Sequence, residues 1–385
     1  MILKNAGIMP RSGKSNMDDI NKKPDLHDDP DGDPVKNRKK LIRKRVLSIL
    51  FVLINIIIIA TTAYIDFSKE GRPSAPLGIN MRYLFAATGC FVAALAAESC
   101  KYYVMMRELN GSASARTAFE VAALGKYYDN ITPTGAGGQT FQVLYLKKKN
   151  IPTGASAAMP VTGFLTLQLA FIVLAVIVFF FGTPYLNNVA NYTIAIKISA
   201  YIGILFYASL PLLIILFAVF PMAAKATVRF IIALLTKLGI IKKKEEALNK
   251  SLATFTEYRD SVVAIYKKRK LFFMIMGFGF IYQIAMCSIP YFVLRAFGSP
   301  LGFFSVFSMI VLIYCAITYI PTPGNSGVAE ASFYALLATL NQSYLFWAMM
   351  IWRFYSYYSF LAIGGGIFVF GKIKKGDKAK VRNTT

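Results

Sequence analysis

Six stretches of this chain run for twenty residues or more with almost no charge. Val46–Ile65, Ala155–Phe181, Ile198–Ala224 and Leu271–Leu294 carry none. Tyr83–Val104 contains only Glu98 and Lys101, and Ala296–Gly371 contains only Glu330 and Arg353. About 20 helical residues cross a hydrocarbon core about 30 Å thick, so each stretch is long enough to span a bilayer. Hydrophobic residues make up 56% of the chain and charged residues 16%, below the roughly 25% charge of a globular domain. Beyond residue 45 only 12 acidic groups remain, too few for a water-facing surface. The pattern predicts an all-α fold, a polytopic membrane helix bundle.

The net charge of +24 would suit nucleic acid if a soluble basic domain presented it. Instead the basic residues cluster at 36–45, Lys147–Lys149, 225–270 and 372–382, each beside an apolar run. That is the positive-inside pattern, with attraction to anionic headgroups, and it excludes nucleic acid as a partner. It divides the chain into a tail of residues 1–45, a transmembrane domain of 46–371 and a basic tail of 372–385, with both termini cytoplasmic. The tail 1–45 is polar, without an apolar run, and reads as disordered. Its run Asp28-Asp29-Pro30-Asp31-Gly32-Asp33 does not form a calcium loop: counted from Asp29, Pro34 stands where the glycine belongs and Lys40 where the glutamate belongs. The single histidine, His27, lies in this tail, and Cys90 and Cys100 would sit about 15 Å apart on one helix, so neither a metal site nor a disulfide is expected, nor any cofactor.

Charge asymmetry also predicts which segments cross. Lys101, Arg107 and Arg116 return the chain to the inside after the second span, and Lys147–Lys149 are inside as well. Residues 117–146 must therefore enter and leave from the cytoplasm. Residues 221–270, with 12 Lys and Arg, are cytoplasmic, and 303–342 must enter and leave from the exterior. Within 225–266, Leu248, Leu252, Phe255, Val262 and Tyr266 recur at helical spacing, predicting an amphipathic surface helix. Gly89, Ala93 and Ala97 form a small-residue ladder expected to pack closely on a neighbouring helix.

Both returning segments are broken. In the first, polar residues and the breaks Pro133, Gly137 and Gly138 separate two half-helices; in the second, Pro321, Pro323, Gly324 and Gly327 do so. Irregular backbone at membrane depth must be buried in protein or line a wet cavity. Two oppositely oriented re-entrant hairpins predict an inverted repeat with a binding site where the breaks meet. In the cytoplasmic hairpin the candidates are Lys126, Tyr127, Asp129, Gln139 and Gln142, a cation for phosphate among groups that donate and accept. Helix N-termini after Gly138 would add free N–H groups. In the second hairpin Glu330 follows the break, where a helix dipole favours an anion, and Arg353 lies at similar depth in the final span. Each alone would cost about 2.5–3.5 kcal/mol in hydrocarbon. They are expected either to pair permanently or to exchange partners with a lipid phosphate.

The phrase Ile131-Thr132-Pro133, followed by Gly137-Gly138-Gln139, Gln142, a basic patch and Ile151-Pro152, resembles the transmembrane domain of lysylphosphatidylglycerol synthases. Pro321-Thr322-Pro323-Gly324 with Gly327 and Glu330 is similar to that family's second motif. The resemblance covers roughly 46–371. It implies a multi-pass protein of a bacterial-type plasma membrane that moves an anionic or aminoacylated phosphatidylglycerol between leaflets. In bifunctional members a following soluble domain transfers lysine from tRNA; the 372–385 tail cannot be that domain, so the resemblance implies translocation without lysyltransferase chemistry here and leaves room for a separate aminoacyltransferase and a homo-oligomer as partners. Two other readings stay open. A membrane-embedded lipid transferase would need a general base or a metal-holding acidic pair, and the membrane region offers only Glu98, Glu120, Asp129 and Glu330. An ion-coupled transporter of a small solute would also use inverted hairpins.

Overall fold

The computed structural model describes residues 78–132, 137–182, 185, 194–237, 268–317, 322–337 and 344–367, with isolated positions between 245 and 267. All belong to the unit Ile58–Thr385. The expected first span Val46–Ile65, both tails, and the break residues Pro133 and Pro321 lie outside the described residues.

Among the described residues every regular element is a helix. In chain order they are α1 (Met81–Asn110), α2 (Ala115–Ile131), α3 (Gly137–Lys148) and α4 (Thr153–Ile177), which runs on as a π turn, Val178–Gly182. Then come α5 (Ile194–Val219), α6 (Pro221–Lys237), α7 (Arg269–Ala296) and α8 (Phe303–Ile317). A 3₁₀ turn, Pro323–Asn325, precedes α9 (Val328–Leu337), and α10 (Leu345–Arg353) continues through a π turn, Phe354–Tyr358, to residue 367. Met81–Asn110, Thr153–Gly182 and Arg269–Ala296 are long and apolar enough to cross a bilayer. By contrast α3 has 12 residues and α9 has 10, about 18 and 15 Å of helix, well short of a crossing.

The spine is the antiparallel pair α1 and α7. Asn80 caps α1 by accepting the Arg82 N–H at 3.1 Å. Its own N–H donates to Ala296 O at 2.9 Å, joining the start of α1 to the end of α7. At the opposite end Lys268 donates to Glu108 at 2.9 Å. Gly111 then stops α1 in the left-handed region, φ 67°.

Two apolar cores form along this spine. The larger gathers the first half of α1 (Ala87, Phe91, Ala94), the second halves of α4 and α7, and α8, α9 and α10. The smaller joins the last turns of α1 (Tyr102, Met105, Met106) to α2, Leu146, Met159, Ile265 and the start of α7. Between them the buried side chains turn polar: Glu98 and Lys101 on α1, Thr162 and Thr166 on α4, Gln283 on α7.

Among the described residues only Ala97 of the small-residue ladder is packed. Gly89 and Ala93 are exposed and nothing lies within 4 Å of where a Gly89 Cβ would be, whereas Ala87, Phe91, Ala94 and Ala97 are buried. Close approach occurs instead at Gly203 on α5, where an added Cβ would collide with the Cys315 carbonyl of α8. The amphipathic segment starts earlier than its sequence pattern: α6 begins at Pro221, and helix recurs at 247–249, 251–252 and 265–267. Leu248 and Leu252 are half-buried and Tyr266 packs on Phe272, whereas Phe255 and Val262 are outside the described residues.

The two glycines should respond oppositely to a methyl group. Gly203→Ala should cost about 1–3 kcal/mol, because backbone must move to relieve the overlap. Gly89→Ala should be neutral or stabilise by up to about 1 kcal/mol through helix propensity. Thermal unfolding of both purified variants in detergent checks the contrast.

Candidate functional site

The first break is built by two side chains of α2 that reach across to the start of α3. Asp129 Oδ1 accepts the Gly138 N–H at 2.9 Å, and Thr132 Oγ1 accepts the Gly137 N–H at 3.0 Å while donating to Tyr128 O at 2.8 Å. These bonds satisfy two of the N–H groups that a helix start leaves open. They also account for the glycines: a Cβ on Gly137 would strike Thr132, and one on Gly138 would strike Asp129 and the Gly125 carbonyl. Gln142 settles over Gly125, where no Cβ could fit, and its Nε2 donates to Val121 O at 3.0 Å. Tyr128 stacks on Phe141 across the arms, with ring centres 3.5 Å apart. At the base of the hairpin Glu120 accepts from Arg116 at 2.9 Å, from Lys149 at 3.2 Å and from the Tyr145 hydroxyl.

Beside this break lies a small, partly open polar cavity of about 20 Å³. Its polar walls are Glu98, Tyr102, Lys126, Asp129, Gln139 and Gln142, and Pro160 and Gly163 of α4 complete it. That volume admits about one water and no lipid headgroup. Lys101, fully buried, donates to Glu98 at 2.7 Å and to Gly163 O at 3.1 Å. At Gly163 an added Cβ would sit 3.2 Å from the Tyr102 hydroxyl oxygen and at ordinary contact from Lys101 Cε. The Lys126 ammonium lies 4.5 Å from the centre of the Tyr282 ring on α7, a cation–π contact. Among the described residues neither Lys126 nor Asp129 has an opposite charge at ion-pair distance.

Around the second break, Glu330 and Arg353 form a buried ion pair of 2.6 Å. The remaining atoms of the pair also hold the turn. Glu330 accepts the Gly327 N–H at 2.7 Å, whereas Arg353 donates to Gly324 O at 3.4 Å and to Ser326 Oγ at 3.3 Å. The turn takes left-handed backbone at Gly324, Asn325 and Gly327, with φ of 58°, 54° and 86°. The π turn begins at the residue after Arg353, and the guanidinium lies 5.3 Å from the Tyr357 ring centre.

The two breaks touch. A Cβ at Gly324 would lie 3.1 Å from Asn130 O, at the end of α2, and would collide with the Tyr357 ring. Lys126, Asp129, Gln139 and Gln142 thus share one cavity, with Gln142 also stitching the hairpin arms together. Glu330 and Arg353 brace the turn that abuts the hairpin tip. Tyr127 stands apart from the cavity, against Gly364 of the last helix and edge-on to Tyr128. Pro323 lies in the 3₁₀ turn. Sequence reasoning did not single out Glu98, Lys101 or Tyr282 for this site; the available signal was two opposite charges three residues apart in an apolar span.

A second opening, a groove of about 550 Å³, runs between the base of α2 and the end of the last helix. Phe119, Ala362, Ile363 and Ile367 line it, with Arg116 and Glu120 beside them.

Truncating one partner of the buried pair should be worse than removing both. Arg353→Met strands a carboxylate and should cost about 3–5 kcal/mol. Adding Glu330→Gln should recover part of that loss, a coupling measured by a double-mutant cycle on detergent unfolding.

No curated protein matches the chain. The family model described as the lysylphosphatidylglycerol synthase TM region matches residues 43–364, and the protein, a helical membrane protein, belongs to that family.

Proposed function

We propose that the protein is a lipid translocase that passes the headgroup of an anionic or aminoacylated phospholipid between two re-entrant hairpins, α2–α3 and α8–α9. The observation that carries the reading is the polar cavity where the first hairpin leans on α1 and α4, one contact away from the turn of the second. The shortness of α3 and α9 supports re-entry, since neither arm is long enough to cross. Opposite orientation of the hairpins, as charge asymmetry predicts, makes them an inverted repeat with cytoplasmic termini in a plasma membrane of bacterial type.

The cavity in this conformation is too small for a headgroup. Access for a headgroup requires the α2–α3 hairpin to part from α1 and α4. Such parting would expose Lys126 to phosphate while Gln139 and Gln142 rearranged their hydrogen bonds. The groove beside Arg116 is large and apolar enough to take part of an acyl chain, with the Arg116 cation at its edge. A lipid could therefore keep its tail in an apolar setting while its headgroup crossed the polar layer.

Proteoliposomes carrying fluorescent phosphatidylglycerol test the proposal. Lys126→Met should slow leaflet exchange about ten- to a hundredfold, the equivalent of one charge-assisted hydrogen bond of about 1.5–3 kcal/mol. Gln139→Leu should slow exchange without lowering the unfolding temperature, because Gln139 lines the cavity and the hairpin stitch belongs to Gln142. Exchange no faster than in protein-free liposomes for the unaltered chain would overturn the translocase reading.

A further inference from the structure

The charges facing the cavity balance. Lys126, Glu98 and Asp129 line it and Lys101 lies buried behind Glu98 and bonded to it, so two positive charges meet two negative ones, and the surrounding cores are apolar. A phosphodiester brings one more negative charge into this space. An unbalanced charge in a site set between two apolar cores is disfavoured, and protonation of a carboxylate is the ordinary escape.

Of the two carboxylates, Glu98 is committed: its Oε2 holds the fully buried Lys101 ammonium at 2.7 Å. Asp129 has no such cation. One oxygen caps α3 through Gly138, and the nearest positive charge on its own helix, Lys126, is drawn toward Tyr282 instead. The groups facing Asp129 can be named element by element. From α1 come Glu98, Lys101 and Tyr102, and from its own helix Lys126. From α7 comes Tyr282, and Tyr207 of α5 lies near Lys126. At the cavity α3 offers the Gly138 N–H with Gln139 and Gln142, and α4 offers Pro160, Gly163, Phe164 and Leu167, none of which titrates.

We infer that Asp129 is a proton site coupled to the lipid: binding of a phosphodiester headgroup at Lys126 is accompanied by transfer of one proton from water to the Asp129 carboxylate. This deepens the translocase reading and rests on it. The step forms one O–H bond and moves no electrons. It leaves the occupied site neutral, with two ammonium groups facing one carboxylate and one phosphodiester. A zwitterionic headgroup adds no net charge and takes up no proton. The coupled ion of this protein is then H⁺, and the lipid's own charge sets how many move with it.

Titration calorimetry of the full chain in detergent, with water-soluble dihexanoyl phosphatidylglycerol as probe, tests this. Runs near neutral pH in phosphate and in Tris buffer convert proton uptake into a difference in heat. The unaltered chain should take up close to one proton per phosphatidylglycerol bound and none with dihexanoyl phosphatidylcholine, and its affinity should fall about tenfold per pH unit where uptake is complete. Asp129→Asn keeps an oxygen for the Gly138 N–H, so the cap survives, but it cannot accept the proton; its binding should lose the buffer and pH dependence. Equal heats in both buffers for the unaltered chain would overturn the coupling and leave the headgroup site standing. Uptake that persists in Asp129→Asn would overturn the assignment to this residue. Absence of phosphatidylglycerol binding would overturn the headgroup site and the coupling together.

Discussion

A charge that leaves water for an apolar interior must be met by an opposite charge, a ring face or a main-chain dipole, and in this protein that requirement organises the middle of the bundle. Glu98 and Lys101 answer each other on α1, Lys126 answers to the Tyr282 ring, Asp129 to a helix start, and Glu330 to Arg353. Apolar cores flank this layer. Remove the pairing and either water must enter or the helices must separate. The glycines follow from the same demand. Gly138 admits Asp129, and Gly125 admits Gln142.

The breaks serve the pairing rather than interrupting it. A continuous helix satisfies its own amides and has none to offer a carboxylate. Ending α2 and starting α3 afresh exposes the Gly137 and Gly138 N–H groups, which Thr132 and Asp129 take up. Starting α9 afresh exposes the Gly327 N–H, which Glu330 takes up. Each hairpin thus converts a loss of backbone hydrogen bonds into fixed positions for polar side chains deep in the protein.

Much of this was legible before any coordinates. Long uncharged runs give membrane helices because length and hydropathy alone set that outcome, and Gly/Pro-rich turns mark breaks because few other residues adopt those backbones. Glu330 and Arg353 could be paired from depth alone. What depends on which way a helix faces was harder. Tyr127 was grouped with its neighbours in sequence, yet successive helical residues point about 100° apart, so Lys126 and Asp129 share a face that Tyr127 leaves. The ladder was packed only at Ala97 for a related reason: a spacing of four defines a face of α1 but not whether another described helix lies along all of it. Tyr282 belongs to a helix more than 150 residues away in sequence from Lys126, and no local pattern connects them.

The meeting of the two breaks has a consequence for how such a protein can change over generations. Gly324 abuts the main-chain oxygen of Asn130, with no side chain between them. A joint made of backbone holds its shape whatever residues surround it, provided the glycine stays. The cavity walls can then be rewritten, one lysine or glutamine at a time, without disturbing that joint. The contact between the breaks would persist throughout, so the polar walls and the framework that carries them can drift apart in evolution without breaking one another.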